Sequence, residues 1–213
     1  MILRRLRRVL TRAIVGAGLI AAVCLAASAA TIVDPSFETP VVTGNYLYYP
    51  TGTGWSNAGA WGIAYPNVFY TSSPPDGSQA AFLQNASSSI SQDLTLVLGD
   101  TYLFTFFAVR RDPSRYGNLD VFLGATNILS LSVDPYSDSW VQYTTNSIAA
   151  TSSQMTLKFQ MQSSQPVGDP VVALDWVQVQ DTSQASPEPL SVGLLGFGIA
   201  ALVGLRRRLP QPR

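Results

Sequence analysis

From Thr101 to Gln180 the chain repeats one pattern, a run of β-branched and aromatic residues followed by a cluster of Pro, Gly, Asp, Asn and Ser. The runs cover 101–110, 119–124, 127–133, 140–145, 154–162 and 171–180. In "QMTLKFQMQ", Met155, Leu157, Phe159 and Met161 share one face, and Thr156, Lys158 and Gln160 the other, which is the period-two signature of a half-buried strand. The separators "DPSRYGN", "DPYSDS" and "QPVGDP" are turn formers. Nothing between the two ends has a 3.6-residue period, and no internal repeat appears. The expected architecture is therefore all-β, an antiparallel β-sandwich or jelly roll. The first third of this region, 34–84, is less regular and reads as loop-rich.

Both ends differ from this body. "MILRRLRRVLTR" sets five arginines ahead of the apolar "AIVGAGLIAAVCLAASAA", and Ala27-Ser28-Ala29 fits a small-residue cleavage site, so 1–29 reads as a secretory signal peptide. Cys24, the one cysteine, would leave with it, so neither disulfides nor thiols serve the body. At the other end, 190–205 is uncharged and would reach roughly 24 Å as a helix, short but compatible with a membrane span. Arg206, Arg207 and Arg208 follow it, and the basic flanks at both ends place the body outside the cell. The division is 1–29 signal peptide, 30–182 sandwich, 183–189 linker, 190–205 transmembrane segment and 206–213 basic cytoplasmic tail.

The sequence carries net charge zero, yet from Thr31 to Ser186 there are four basic against twelve acidic residues, leaving −8. An acidic body of this kind argues against nucleic acid and anionic membrane surfaces as partners. With no histidine in the chain, imidazole-based triads and zinc sites are excluded. The remaining enzymatic route is a glycosidase-like carboxylate pair, and none stands out, because most of the acids sit in turns where Asp is expected for geometry alone. The body reads as non-enzymatic.

The stretch "GNYLYYPTGTGWSNAGAWGIAYPNVFY" gathers eight aromatic residues. Aromatic faces on loops can stack on the C–H patch of a sugar ring. Trp55, Trp61 and Tyr65 are the candidate stacking residues, and their exposure decides between a ligand platform and core filling. Trp140 and Trp176 lie in strand runs and read as core. Arg110 could pair with a uronate carboxylate or sugar hydroxyls, or instead pair with Asp112 or solvate the strand end, and Arg111 reads as doing the latter.

Two resemblances add to this. Pro187-Glu188-Pro189, then the apolar segment, then Arg206–Arg208 resembles the PEP-CTERM sorting signal of Gram-negative bacteria, over about 27 residues. That resemblance implies an exosortase as partner, membrane anchoring before sorting, and release to the cell surface or the exopolysaccharide matrix. The extra "LPQPR" departs from the usual abrupt end, and the alternative is a permanent anchor. Across the body, "DPSFETP", "PDGSQAAFLQ", "SISQDL", "GDTYLFTFFAVRR", "WVQYT" and "ALDWVQV" resemble, in that order, the galactose-binding-domain-like sandwiches of bacterial surface and carbohydrate-binding proteins. This second resemblance implies adjacent chain ends and a structural Ca2+ held by Glu38 and Asp175, with Asp34 where asparagine is more usual. Two functions follow as expectations: exopolysaccharide binding through loop aromatics, or a structural surface or biofilm-matrix protein with no glycan ligand.

Overall fold

The computed structural model describes residues 30–111, 117–133, 139–163 and 169–183. The signal peptide, the Pro187-Glu188-Pro189 linker, the apolar segment 190–205 and Arg206–Arg208 lie outside the described residues. Among those described, no helix is long and apolar enough to cross a membrane.

The described chain is all-β, with ten strands: β1 Tyr46–Tyr48, β2 Ser56–Ala64, β3 Ala80–Thr95, β4 Thr101–Arg110, β5 Asn118–Leu123, β6 Thr126–Ser132, β7 Val141–Thr144, β8 Ile148–Ala149, β9 Gln154–Met161 and β10 Val171–Asp181. Their order is β6-β5-β9-β3-β10-β4-β7, with β1 on β2, β2 on β3 and β8 on β4. All the pairings are antiparallel.

The sixteen-residue β3 serves both layers of the sandwich. Its first part, 80–84, lies between β2 and β10, while 89–95 pairs with β9. The switch falls at Asn85 and Ser87, whose φ angles of 72° and 63° bend the strand. Asn85 N donates to Pro170 O at 3.1 Å, and the buried Ser88 hydroxyl bonds Gln84 O and takes the Ala60 N–H at 3.0 Å. Backbone groups that the bend removes from the ladder are thereby satisfied.

Between the layers, Trp61, Ile63 and Leu83 meet Phe104, Phe106, Leu157, Phe159, Val172 and Leu174. The alternation of β9 is as the sequence implies: Met155, Leu157, Phe159 and Met161 point into this core. A second cluster lies on the outer face of the β3-β10-β4 layer, where Phe69 and Tyr70 cover Ala80, Phe82, Val109, Val171 and Ala173. The first half of β10 is consequently buried on both faces.

Six strands fall within two residues of the runs read from sequence. The supposedly loop-rich first third instead holds β1, β2 and the start of β3. Its composition follows from close approach: a Cβ on Gly62 would lie 2.4 Å from Leu47 O and 2.5 Å from the Phe82 ring, so β1 can cross there only over glycine. Trp61→Ala should lower the unfolding free energy by about 3–5 kcal/mol and Gly62→Ala by about 1–3 kcal/mol. Tyr49→Ala, at an exposed ring, should stay within about 0.5 kcal/mol. Urea titration of the three variants checks this ranking.

Candidate functional site

Two of the residues singled out in the sequence, Glu38 and Asp175, come together on one turn. Asp34 adopts φ 48° and turns the opening segment back on itself, its carboxylate accepting from Glu38 N at 2.9 Å and Thr39 N at 3.3 Å. Burial works against these two bonds and raises the Asp34 carboxyl above its ordinary range. Glu38 then reaches the turn before β3: Oε1 accepts from Ser78 N at 2.8 Å and Gln79 N at 2.9 Å, and Oε2 from the Ser78 hydroxyl at 3.1 Å. At Gly77, φ is 74° and a Cβ would sit 2.2 Å from Glu38 Oε1, so a side chain there would expel the carboxylate.

From the closing strand, Asp175 Oδ2 accepts from Asp76 N at 2.9 Å, and Asp76 takes the Ser36 hydroxyl at 2.5 Å. Asp175 is fully buried, and its Oδ1 meets no hydrogen-bond donor. Burial, above all, pushes its carboxyl up to about 7; the Asp76 and Trp176 N–H groups oppose this, and the charges of Asp76 and Glu38 reinforce it. No group of three or more His, Cys, Asp or Glu arranged to hold a metal occurs among the described residues. Glu38 and Asp175 thus bind backbone N–H groups, Glu38 also the Ser78 hydroxyl, and Asp175 Oδ1 is a buried side-chain oxygen with no hydrogen-bond donor.

Beside the turn lies an aromatic edge. Tyr46 is 49% and Tyr49 56% exposed. They stand on a stacked base in which Phe69 lies 3.8 Å from Phe82 at 20°, Tyr48 meets Phe82 edge-on at 5.0 Å and Tyr46 meets Phe69 edge-on at 5.6 Å. A polar chain borders them. The Tyr48 hydroxyl donates to Gln84 Oε1, Gln84 Nε2 to Asp169 Oδ1 at 2.5 Å, and Arg111 Nη1 to Asp169 Oδ2 at 2.8 Å. The Arg111 guanidinium sits 5.2 Å over the Phe69 ring. This ion pair is partly exposed and adds little stability, but it fixes where a carboxylate and a guanidinium stand beside two open rings. Such an edge offers π faces with donors and acceptors beside them, for a ligand with one apolar and one hydroxylated side.

The ring candidates read from sequence lie elsewhere. Trp61 is fully buried and Trp55 nearly so, packed on Phe37 at 5.3 Å and Phe159 at 6.2 Å, so neither offers a face to a ligand. Trp61 and Ile63 point to one side of β2 and fill the space between layers. Tyr65 is half-buried against the same core, and Arg110 is buried with its stem beneath Gly117. Arg111, read as pairing with Asp112 or solvating its strand end, pairs with Asp169. Trp140, read as core, is half-buried on the outer cluster, edge-on to Tyr70 at 5.1 Å and donating to Ser72 O. Trp176, also read as core, is 38% exposed. The tyrosines of the edge were missed because tryptophan weighed more heavily; the Pro50 and Gly52 that follow them, marking an edge and not a core strand, were the available signal.

No family model matches the chain, and no curated protein does. Among solved structures, TmCBM61 in complex with β-1,4-galactotriose matches with TM-score 0.51 at 14% identity, over 70% of this chain and 97% of that one. The K2 cleaved adhesin domain of Lys-gingipain matches with TM-score 0.51 at 14% identity, over 72% and 98%. The fold is accordingly an antiparallel β-sandwich shared with these structures, and at this identity the likeness concerns the fold alone.

The raised Asp175 has a measurable consequence. With its folded value near 7 and an unfolded value near 3.8, the native state holds the extra proton between those limits, so stability falls as pH rises from about 4 to about 7. Thermal melts in chelator should show that decline, and Asp175→Asn should flatten it.

Proposed function

We propose that this chain is a non-catalytic, exported module that binds polysaccharide on the Tyr46–Tyr49 edge, carried to the cell surface or matrix by its PEP-CTERM-like tail. The observation that supports this most directly is the pair of exposed tyrosine rings on a rigid Phe69–Phe82 base, bordered by Gln84, Asp169 and Arg111. A tyrosine face desolvates at low entropic cost, and the amide and charged groups beside it can take hydroxyl hydrogen bonds. TmCBM61, whose fold this chain shares, is a protein solved with a galactotriose. Exopolysaccharide is the ligand class that fits the sorting tail, with Pro187, Glu188, Pro189 and Arg206–Arg208 addressing an exosortase and the membrane.

Calcium enters the proposal as a structural ion. The buried, donorless Asp175 Oδ1 gives it a first ligand, with Glu38 and carbonyls of the neighbouring turn able to supply more of the six to eight oxygens that calcium prefers. Bound there, it would neutralise the carboxylates that meet on the turn.

The alternative of a matrix scaffold with no glycan ligand draws support from the burial of Trp55 and Trp61. Affinity electrophoresis of the full chain against neutral and acidic polysaccharides, with calcium and then with chelator, separates the two. Retardation should be saturable, and Tyr46→Ala with Tyr49→Ala should weaken it by roughly tenfold or more, about 1.4 kcal/mol. Chelator should lower the melting temperature, and Asp175→Asn should abolish that response. Retardation by no polysaccharide would sink the glycan reading and leave the scaffold. Mass spectrometry of surface-released protein should find a terminus near Pro187–Pro189; an intact tail would point to a permanent anchor.

A further inference from the structure

Trp176 faces outward because of an irregularity in β10. Asp175 pairs with Phe107 and Gln178 with Thr105, so two residues, Trp176 and Val177, oppose Phe106 alone. Val172 and Leu174 point into the core, and a regular strand would send Trp176, Gln178 and Gln180 after them. The bulge reverses the alternation: Val177 is buried, while Trp176, Gln178 and Gln180 are exposed. Val177 N leaves the ladder and donates to Pro35 O at 2.9 Å. Trp176 itself takes φ 48°, a left-handed conformation that costs a bulky residue about 1–2 kcal/mol. Bulges that re-aim a side chain, and residues held against their backbone preference, concentrate at functional sites.

The surface thus made is flat, aromatic and uncharged. The Trp176 ring lies parallel to Phe107, 7° between planes and 5.6 Å between centroids. Thr105 and Gln178 flank it, with Gln142 opposite Phe107 and Thr144 opposite Thr105 on the neighbouring strand. Thr105 Oγ1 donates to Gln178 Oε1 at 3.4 Å, committing the carbonyl end of that amide and leaving its N–H pair to a ligand. A groove of about 360 Å³, lined by Thr31, Ile32, Pro35, Thr105 and Gln178 among others, opens beside it. From β1 to β10 is three strand spacings, about 14 Å, and Phe69, Tyr70 and the Asp76–Gln79 turn cover part of the sheet between.

We propose that Trp176 and Phe107 form a second contact surface, for an uncharged pyranose ring, so that one module grips a polysaccharide at two separate places. The proposal rests on the glycan-binding reading and adds a site to it. An aromatic platform bordered by amide and hydroxyl side chains, whose one acidic strand neighbour, Asp175 opposite Phe107, is fully buried, suits a neutral sugar, and the net −8 of the body disfavours an anionic one. Two platforms on one polymer multiply affinity without strengthening either contact.

The test uses the full chain, a neutral polysaccharide that retards it, and a short oligosaccharide of the same repeat. Trp176→Ala should lower affinity for the polymer by roughly tenfold or more, with Trp176→Tyr retaining most of it and circular dichroism unchanged in both. Saturating oligosaccharide should shift tryptophan emission in the unaltered chain and in Tyr46→Ala/Tyr49→Ala, and not in Trp176→Phe. Normal binding by the Trp176 variants, with loss in the tyrosine variants, would overturn the second surface and leave the tyrosine edge standing. Loss in the Trp176 variants alone would uphold this surface and remove the edge. Dissociation of an oligomer by Trp176→Ala, with glycan affinity intact, would make the patch a contact between copies and overturn the proposal. Failure of the unaltered chain to bind any neutral glycan would overturn the second surface, and failure with acidic glycans as well would overturn both.

Discussion

The hold of Glu38 and Asp175 on the Asp76–Gln79 turn is the contact on which the rest of this sandwich depends. Three distant parts of the chain meet there: the opening segment, the approach to β3 and the closing strand. Each bond joins a carboxylate to a backbone N–H, the charge-assisted kind, and losing either acid would leave a partly buried donor, Gln79 N or Asp76 N, unpaired. Gln79 extends the hold, accepting from Val42 N and donating to Phe37 O and Pro40 O. Gln92 does the same further along, taking Val33 N and giving to Val33 O and Gly54 O. With the turn fixed, the segment before it can lie across the sheet. Tyr70 then reaches Ala64 O, Phe69 settles on Phe82, and the tyrosine edge gains its base.

Much of this was legible in the sequence where one residue pattern answered to one environment. Strands β5 to β7, β9, the first part of β4 and β10 beyond its bulge alternate because one face meets the core and the other is open to water. The resemblance implied Glu38 and Asp175 as ligands of one calcium ion; what the two acids hold in the structure is the Asp76–Gln79 turn, through its N–H groups and the Ser78 hydroxyl. β2 and β3 were not legible. Their small and polar residues serve close crossings and a bend, and those contacts exist only once distant strands are in place. Trp176 was misread for a different reason: Val172, Leu174 and Trp176 share a parity, and the bulge that breaks it is signalled only by Gln178 and Gln180 falling out of phase.

The distribution of aromatics follows from the two-layer design. Tryptophans 55 and 61 are spent filling the space where β2 crosses from one layer toward the other, while Tyr46, Tyr49 and Trp176 stand on the outer side of a single layer. The outer face of the other layer is hydrophilic: Thr156 donates to Asp93 and Gln162 to Asp120 there, and Lys158 lies 4.4 Å over Phe122. The molecule therefore has one aromatic side and one hydrated side.

The place of β10 has a mechanical meaning. It is an interior strand, paired with β4 from Val172 to Asp181 and with β3 over Val171 to Leu174. A pull applied at Ser183 along this strand's own axis would run across hydrogen bonds perpendicular to it. Tension therefore loads the β10–β4 ladder in shear, many bonds at once, where an outermost strand would peel away one bond at a time. Force entering at that end would thus meet the two ladders that flank β10 together.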